Sequence, residues 1–152
     1  MGPVRHWTTL GAVLAGLAVA AGAFGAHGID RYFTAKYGGA DDNNAETVTV
    51  AGKPVLKATR YLDVYRTAVR YQMYHALALL VVGLLGAART KNSLQVAGWC
   101  FTFGIALFSG SLYLLTLTGT KWWGIVTPFG GLLLIFGWIA LAIAAANPNI
   151  RS

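Results

Sequence analysis

GIVTPFGGLLLIFGWIALAIAAA, running from Gly124 to Ala146, contains no Asp, Glu, Lys or Arg. It lies within a window from Lys121 to Arg151 whose 29 intervening residues carry no formal charge. A helix needs about 20 predominantly apolar residues to cross the hydrocarbon core of a bilayer, so this window reads as a membrane span. Three similar windows precede it. Arg5 to Asp30 encloses 24 residues, Arg70 to Arg89 encloses 18 and Lys91 to Lys121 encloses 29. The predicted fold class is an all-α membrane protein, a four-transmembrane-helix bundle. Its spans fall at about 7–26, 71–88, 96–117 and 124–146.

Composition agrees. Hydrophobic residues make up 56% of the 152 and charged residues 11%, against about 25% charged in a soluble domain. Four spans use more than half of the chain, which reads as one integral membrane domain over 1–152 with no room for a large soluble catalytic module. The net charge of +7 does not imply nucleic acid as a partner. Bases that flank apolar spans set topology and meet anionic head groups, so membrane lipids are the expected partners. Arg5 ahead of an apolar run, with Ala21-Gly22-Ala23 further on, has the outline of a secretory signal. The run from Trp7 to Ala26 is long for one and long enough to span. The lone Cys100 leaves no internal disulfide and reads as a small buried apolar side chain.

Span one is rich in small residues. Gly11/Ala15, Gly16/Ala20 and Gly22/Ala26 are spaced four apart, which lets helix backbones approach closely in lipid. The connection from about 27 to 70 is different in kind and holds all five acids of the chain. Gly38 to Asn44 is polar and turn-rich. Thr47-Val48-Thr49-Val50 alternates and is β-branched, and Ala51-Gly52-Lys53 can turn it back into Pro54-Val55-Leu56 as a small hairpin. Pro54 must then sit at an edge or a strand start. Val55, Ala58, Leu62, Tyr65, Val69, Met73 and Ala76 recur at helical spacing. They predict an amphipathic helix at or along the interface that leads into span two.

Four spans place both termini and the second loop on one side. That side carries four bases and the other eight, so the count of bases puts the termini outside. Topology also gathers the few polar side chains left in the apolar windows. His27 ends span one, and His75 sits about one turn into span two on the same side. Ser109, Ser111 and Tyr113 fall in the half of span three nearer that face, and Thr127 in the first turns of span four. Polar groups in lipid face the bundle interior and find partners. These six form the candidate cluster, either as interhelical ties or as a site for a small molecule, lipid or ion. Two histidines are few for a zinc site, whereas a bis-histidine haem needs only His27 and His75. The leading expectation is no metal and no cofactor. No nucleophile–base–acid set and no phosphate-binding glycine loop is present, so no enzymatic activity is expected.

Four segments carry a family resemblance. They are Gly22-Ala23-Phe24-Gly25-Ala26-His27-Gly28, Tyr71-Gln72-Met73-Tyr74-His75-Ala76-Leu77-Ala78, Phe108-Ser109-Gly110-Ser111-Leu112-Tyr113, and Thr127-Pro128-Phe129-Gly130-Gly131 followed by Gly137-Trp138. Together they resemble the small bacterial inner-membrane proteins of domain-of-unknown-function family 423, whose animal relatives are called transmembrane protein 256. The resemblance covers all four spans in order and fails over about 38–57, which reads as an insertion. It implies an integral membrane protein with no established activity, and termini in the cytoplasm, opposite to the count of bases. The expected role is a structural or accessory subunit that packs with other membrane components or with itself. The alternatives are binding or transport of a small molecule, lipid or ion, and haem binding.

Overall fold

The structure, a computed structural model, describes residues 5–88 and 92–146. Among these residues the order is α1 (Arg5–Tyr37), β1 (Thr47–Val50), β2 (Lys53–Leu56), α2 (Lys57–Ala88), α3 (Asn92–Thr118) and α4 (Trp123–Ala146). All four helices are long and apolar enough to cross a membrane. Each packs on the next in sequence: α1 on α2, α2 on α3, α3 on α4. Short connections make α2, α3 and α4 antiparallel in turn, and α1 runs antiparallel to α2 across the longer connection that holds the hairpin.

Two spans are longer than the charge pattern predicts. At about 1.5 Å per residue, the 33 residues of α1 rise about 50 Å, against a hydrocarbon core of about 30 Å. The expected end of span one at Ala26 marks where charges begin, not where the helix ends. Ile29, Phe33 and Tyr37 recur every four residues and keep an apolar stripe going past it. That stripe packs on Ala58, Tyr61, Leu62 and Tyr65 of α2 in a small aromatic core of its own. Phe33 is fully buried there, edge-on to Tyr61 and Tyr65. The amphipathic segment is therefore the first half of one continuous α2, held by the extension of α1. Val55, placed on its apolar face by spacing, belongs instead to β2.

The hairpin between α1 and α2 forms as expected. Val50 pairs with Lys53, Thr49 with Pro54, Val48 with Val55 and Thr47 with Leu56. Counting from the two-residue turn, Val50 and Lys53 form a hydrogen-bonded pair, so Thr49 and Pro54 do not. Pro54 thus sits where a strand needs no N–H from it. Glu46 anchors the hairpin to both helices. Its N–H donates to the Tyr37 carbonyl at 2.8 Å, and its own carbonyl accepts from the Lys57 N–H at 2.8 Å. Its carboxylate pairs with the Lys57 ammonium, which lies 4.2 Å from the centre of the Tyr37 ring. Lys36 ties the same end of the molecule to α3 by donating to the Leu117 carbonyl at 2.8 Å. Its ammonium is held above the ordinary lysine range, first by its hydrogen bond with the Tyr32 hydroxyl.

Ala51 and Gly52 turn the hairpin with φ of 49° and 80°. Two positive values define a type I′ turn, which favours Asn-Gly. A left-handed conformation costs a non-glycine residue about 1–2 kcal/mol, a penalty that Asn eases. Ala51→Asn is therefore expected to stabilise the hairpin by about 1 kcal/mol. Slower amide exchange at Val50 and Lys53 would show this. Unchanged exchange would mean that the turn is of another type.

The main core joins Trp7 to Leu79, Val82, Leu94, Phe101, Leu134 and Leu141. The small-residue reading of span one holds in part. At Gly11 the backbones of α1 and α2 meet so closely that a Cβ would stand 2.7 Å from the Ala76 carbonyl oxygen, whereas Gly16 faces open space. Cys100 is only partly buried.

Candidate functional site

The antiparallel register of α1 and α2 fixes depth. Gly25 lies against Tyr65, Gly22 against Val69, and Gly11 against Ala76 and Leu80. His75 therefore lies level with the middle of the apolar stretch of α1, about 7.5 Å of helix rise past Arg70. The side chain of His27 lies outside the described residues. Its place in α1 is two residues beyond Gly25, on the side away from His75. Tyr65 and His75 are ten residues apart, about 15 Å of helix rise. Among the described residues no group of three or more His, Cys, Asp or Glu side chains could hold a metal.

The remaining side chains of the expected cluster separate into distinct contacts. Ser111 and Thr127 share a hydrogen bond of 2.8 Å between α3 and α4. Ser111 also reaches the Phe108 carbonyl at 3.0 Å, its own helix one turn back. Tyr113 turns the other way. Its hydroxyl donates to the Gln72 Oε1 at 3.0 Å, and the Gln72 Nε2 donates to the Leu14 carbonyl at 2.9 Å. This chain runs through α3, α2 and α1. Beside it the Tyr65 hydroxyl donates to the Ala21 carbonyl at 3.1 Å, and the Tyr65 and Tyr113 rings stand 5.2 Å apart. Ser109 is buried, and its hydroxyl has no hydrogen-bond partner among the described residues.

His75 stands apart from both. It lines a cleft of about 590 Å3 between α2 and α4, with Tyr71, Phe108, Pro128 and Trp138 among the walls. Phe108 of α3 stacks on Tyr71 at 4.5 Å between ring centres, while Phe101 and Trp138 lie 5.8 and 6.1 Å from the imidazole. The His75 Nδ1 sits 2.7 Å from the Tyr71 carbonyl. A carbonyl only accepts, so Nδ1 carries the proton, and in the neutral ring Nε2 is the acceptor. The cleft is thus a largely apolar, aromatic-walled recess whose polar side chains are His75 and Tyr71. That chemistry suits a lipid-soluble molecule bearing a hydroxyl.

Gln72 is the residue that the sequence reading missed. It lies in a charge-free window beside His75, and an amide at that depth requires partners. Trp138 was visible in its segment but not as a wall of the histidine's cleft. Trp7 was read only as the start of a span, yet its indole N–H donates to the Gln95 Oε1 at 3.1 Å and joins α1 to α3.

Four helices long and apolar enough to span a membrane, joined by interhelical polar ties, define an integral membrane protein. The chain belongs to the family described as "Protein of unknown function (DUF423)", which it matches over residues 21–131. That range contains the whole expected cluster. Its curated relatives carry the name UPF0382 membrane protein. One from Staphylococcus epidermidis is 41% identical over 93% of this chain and 95% of its own length. YwdK of Bacillus subtilis is 41% identical over 95% of this chain and 98% of its own. One from a bovine strain of Staphylococcus aureus is 43% identical over 93% and 95%. No solved structure matches the chain.

Proposed function

We propose that this chain is a non-enzymatic accessory or structural component of the bacterial cytoplasmic (inner) membrane, which packs with other membrane proteins or with a second copy of itself. The supporting observation is where its buried polar side chains spend their hydrogen bonds. Ser111 and Thr127, and Tyr113 with Gln72, tie helix to helix instead of converging on one cavity. Such ties fix the packing of a small bundle. The lipid-facing surface then carries large apolar side chains such as Phe129, Ile135 and Ile139, each more than half exposed. That surface suits lipid tails and neighbouring helices alike.

A second reading, binding of a small lipid-soluble molecule, is favoured by the Nε2 acceptor of His75 in its cleft. Native mass spectrometry of the chain released from a mild detergent tests both. The accessory reading expects a second polypeptide or a second copy bound, and a strictly monomeric species overturns it. The binding reading expects a small adduct that disappears in His75→Phe, a variant that keeps an aromatic ring but removes the acceptor.

A further inference from the structure

A second cleft, of about 510 Å3, opens between α1 and α2 and shares no lining residue with the His75 recess. Gly22, Gly25 and Ala26 of α1 with Tyr65 and Val69 of α2 give it a largely apolar surface, and the charged Asp63, Arg66 and Arg70 of α2 complete the lining as a rim. The cleft lies where the apolar run of α1 closes at Ala26 and where that of α2 opens after Arg70. That is the depth of phospholipid head groups.

The rim has the chemistry of an anion site. Arg66 and Arg70 are four residues apart and so stand one above the other on one helix face. Arg66 is held only loosely by Asp63, at 3.9 Å, with both side chains more than half exposed. Arg70 uses its Nε on the Arg66 carbonyl at 3.4 Å, which leaves both of its terminal nitrogens to donate. A guanidinium fork matches two oxygens of a phosphate. Two arginines against one aspartate leave a net positive rim, which would repel the cationic end of a zwitterionic head group. A surface of Gly22, Gly25, Ala26, Val69 and the Tyr65 ring, whose hydroxyl is spent on the Ala21 carbonyl, offers little to a freely soluble anion but accommodates a glycerol backbone and the top of an acyl chain. We infer that this cleft binds an anionic phospholipid, with Arg66 and Arg70 on its phosphate and the Gly22–Gly25–Val69 surface under its acyl chain.

The test uses the full chain in nanodiscs that contain phosphatidylglycerol and phosphatidylcholine, followed by native mass spectrometry of the lipid retained. Wild type is expected to retain phosphatidylglycerol in preference to phosphatidylcholine. A base near an anionic head group strengthens binding about fivefold. R66Q/R70Q is therefore expected to retain phosphatidylglycerol about 25-fold more weakly. R60Q, on the same helix but outside this cleft, should keep the wild-type preference. Equal retention of the two lipids by wild type overturns the inference and needs no variant. An equal loss in R60Q would reduce the effect to diffuse basic attraction and also overturn it. So would displacement of the lipid by millimolar inorganic phosphate, which would identify a site for free phosphate.

Discussion

Gly130→Ala is expected to destabilise the bundle by about 2 kcal/mol, while Gly131→Ala next to it is neutral or stabilising. A Cβ at Gly130 would stand 2.3 Å from the Phe108 backbone nitrogen and 2.7 Å from its Cα. Both atoms are main chain, so no rotamer change relieves the clash, and α3 and α4 must part. Overpacking of this kind costs about 1–3 kcal/mol, and a clash with backbone belongs at the upper end. Replacing glycine with alanine in a helix returns up to about 1 kcal/mol, which leaves the net loss near 2. At Gly131 the nearest atoms to a Cβ are Phe108 ring carbons at 3.7 Å, an ordinary contact. The helix gain then stands unopposed. Unfolding in mixed detergent micelles, or steric trapping in bicelles, reads both variants on one scale. Equal stability of the two would mean that α3 and α4 do not meet at Phe108. The same crossing forms the wall that carries Phe108 towards Tyr71. Gly130→Ala should therefore also loosen the His75 cleft.

The class of fold was legible because lipid imposes a simple rule. A charge-free run of about 20 residues has few uses other than spanning, and each of the four runs carries a long helix among the described residues. The ends of α1 and α2 were harder to read. Asp30 and Arg31 show where a membrane stops, but a helix stops only where its packing or its caps do. The stripe of Ile29, Phe33 and Tyr37 had its partner on the far side of a hairpin, in Tyr61 and Tyr65. Pairing those stripes requires knowing that α1 and α2 are antiparallel neighbours in a particular register. The candidate site shows the same limit. Topology brought Ser111 and Thr127 to one level, and they meet. It placed His75 one turn into span two, because the charge-free window opens after Arg70, while the register sets His75 level with the middle of the apolar stretch of α1. Rotation about a helix axis decides which polar side chains share a cavity. Apolar windows as uniform as these carry little phase information. Thus Tyr113 and Ser111, two residues apart, face different helices, as i and i+2 positions must.

Gln72→Leu is expected to cost about 2–3 kcal/mol, more than Tyr113→Phe at about 1 kcal/mol. Among the described residues, Gln72 joins α1, α2 and α3 by consecutive hydrogen bonds. A hydrogen bond between membrane helices averages about 0.6 kcal/mol, because the separated helices find other partners. Loss of two such bonds alone would be modest. The larger part comes from the Tyr113 hydroxyl, which Gln72→Leu leaves without an acceptor where no water reaches. An orphaned buried polar group costs about 1–3 kcal/mol. The Leu14 carbonyl suffers less, since the backbone of α1 still satisfies it. Tyr113→Phe removes the donor itself and strands only one lone pair of the Gln72 amide. Gln72→Leu combined with Tyr113→Phe removes both halves of the pair and leaves no hydroxyl stranded. Its cost is expected to fall about 2 kcal/mol short of the sum of the singles. Strict additivity would mean that the two side chains do not meet. The cycle also bears on function. If these residues are ties, the double variant keeps any ligand or partner that native mass spectrometry detects and differs only in stability. If they contribute to a site, the double variant loses that species while remaining folded. The accessory reading requires the first outcome, because it rests on these hydrogen bonds being spent within the chain.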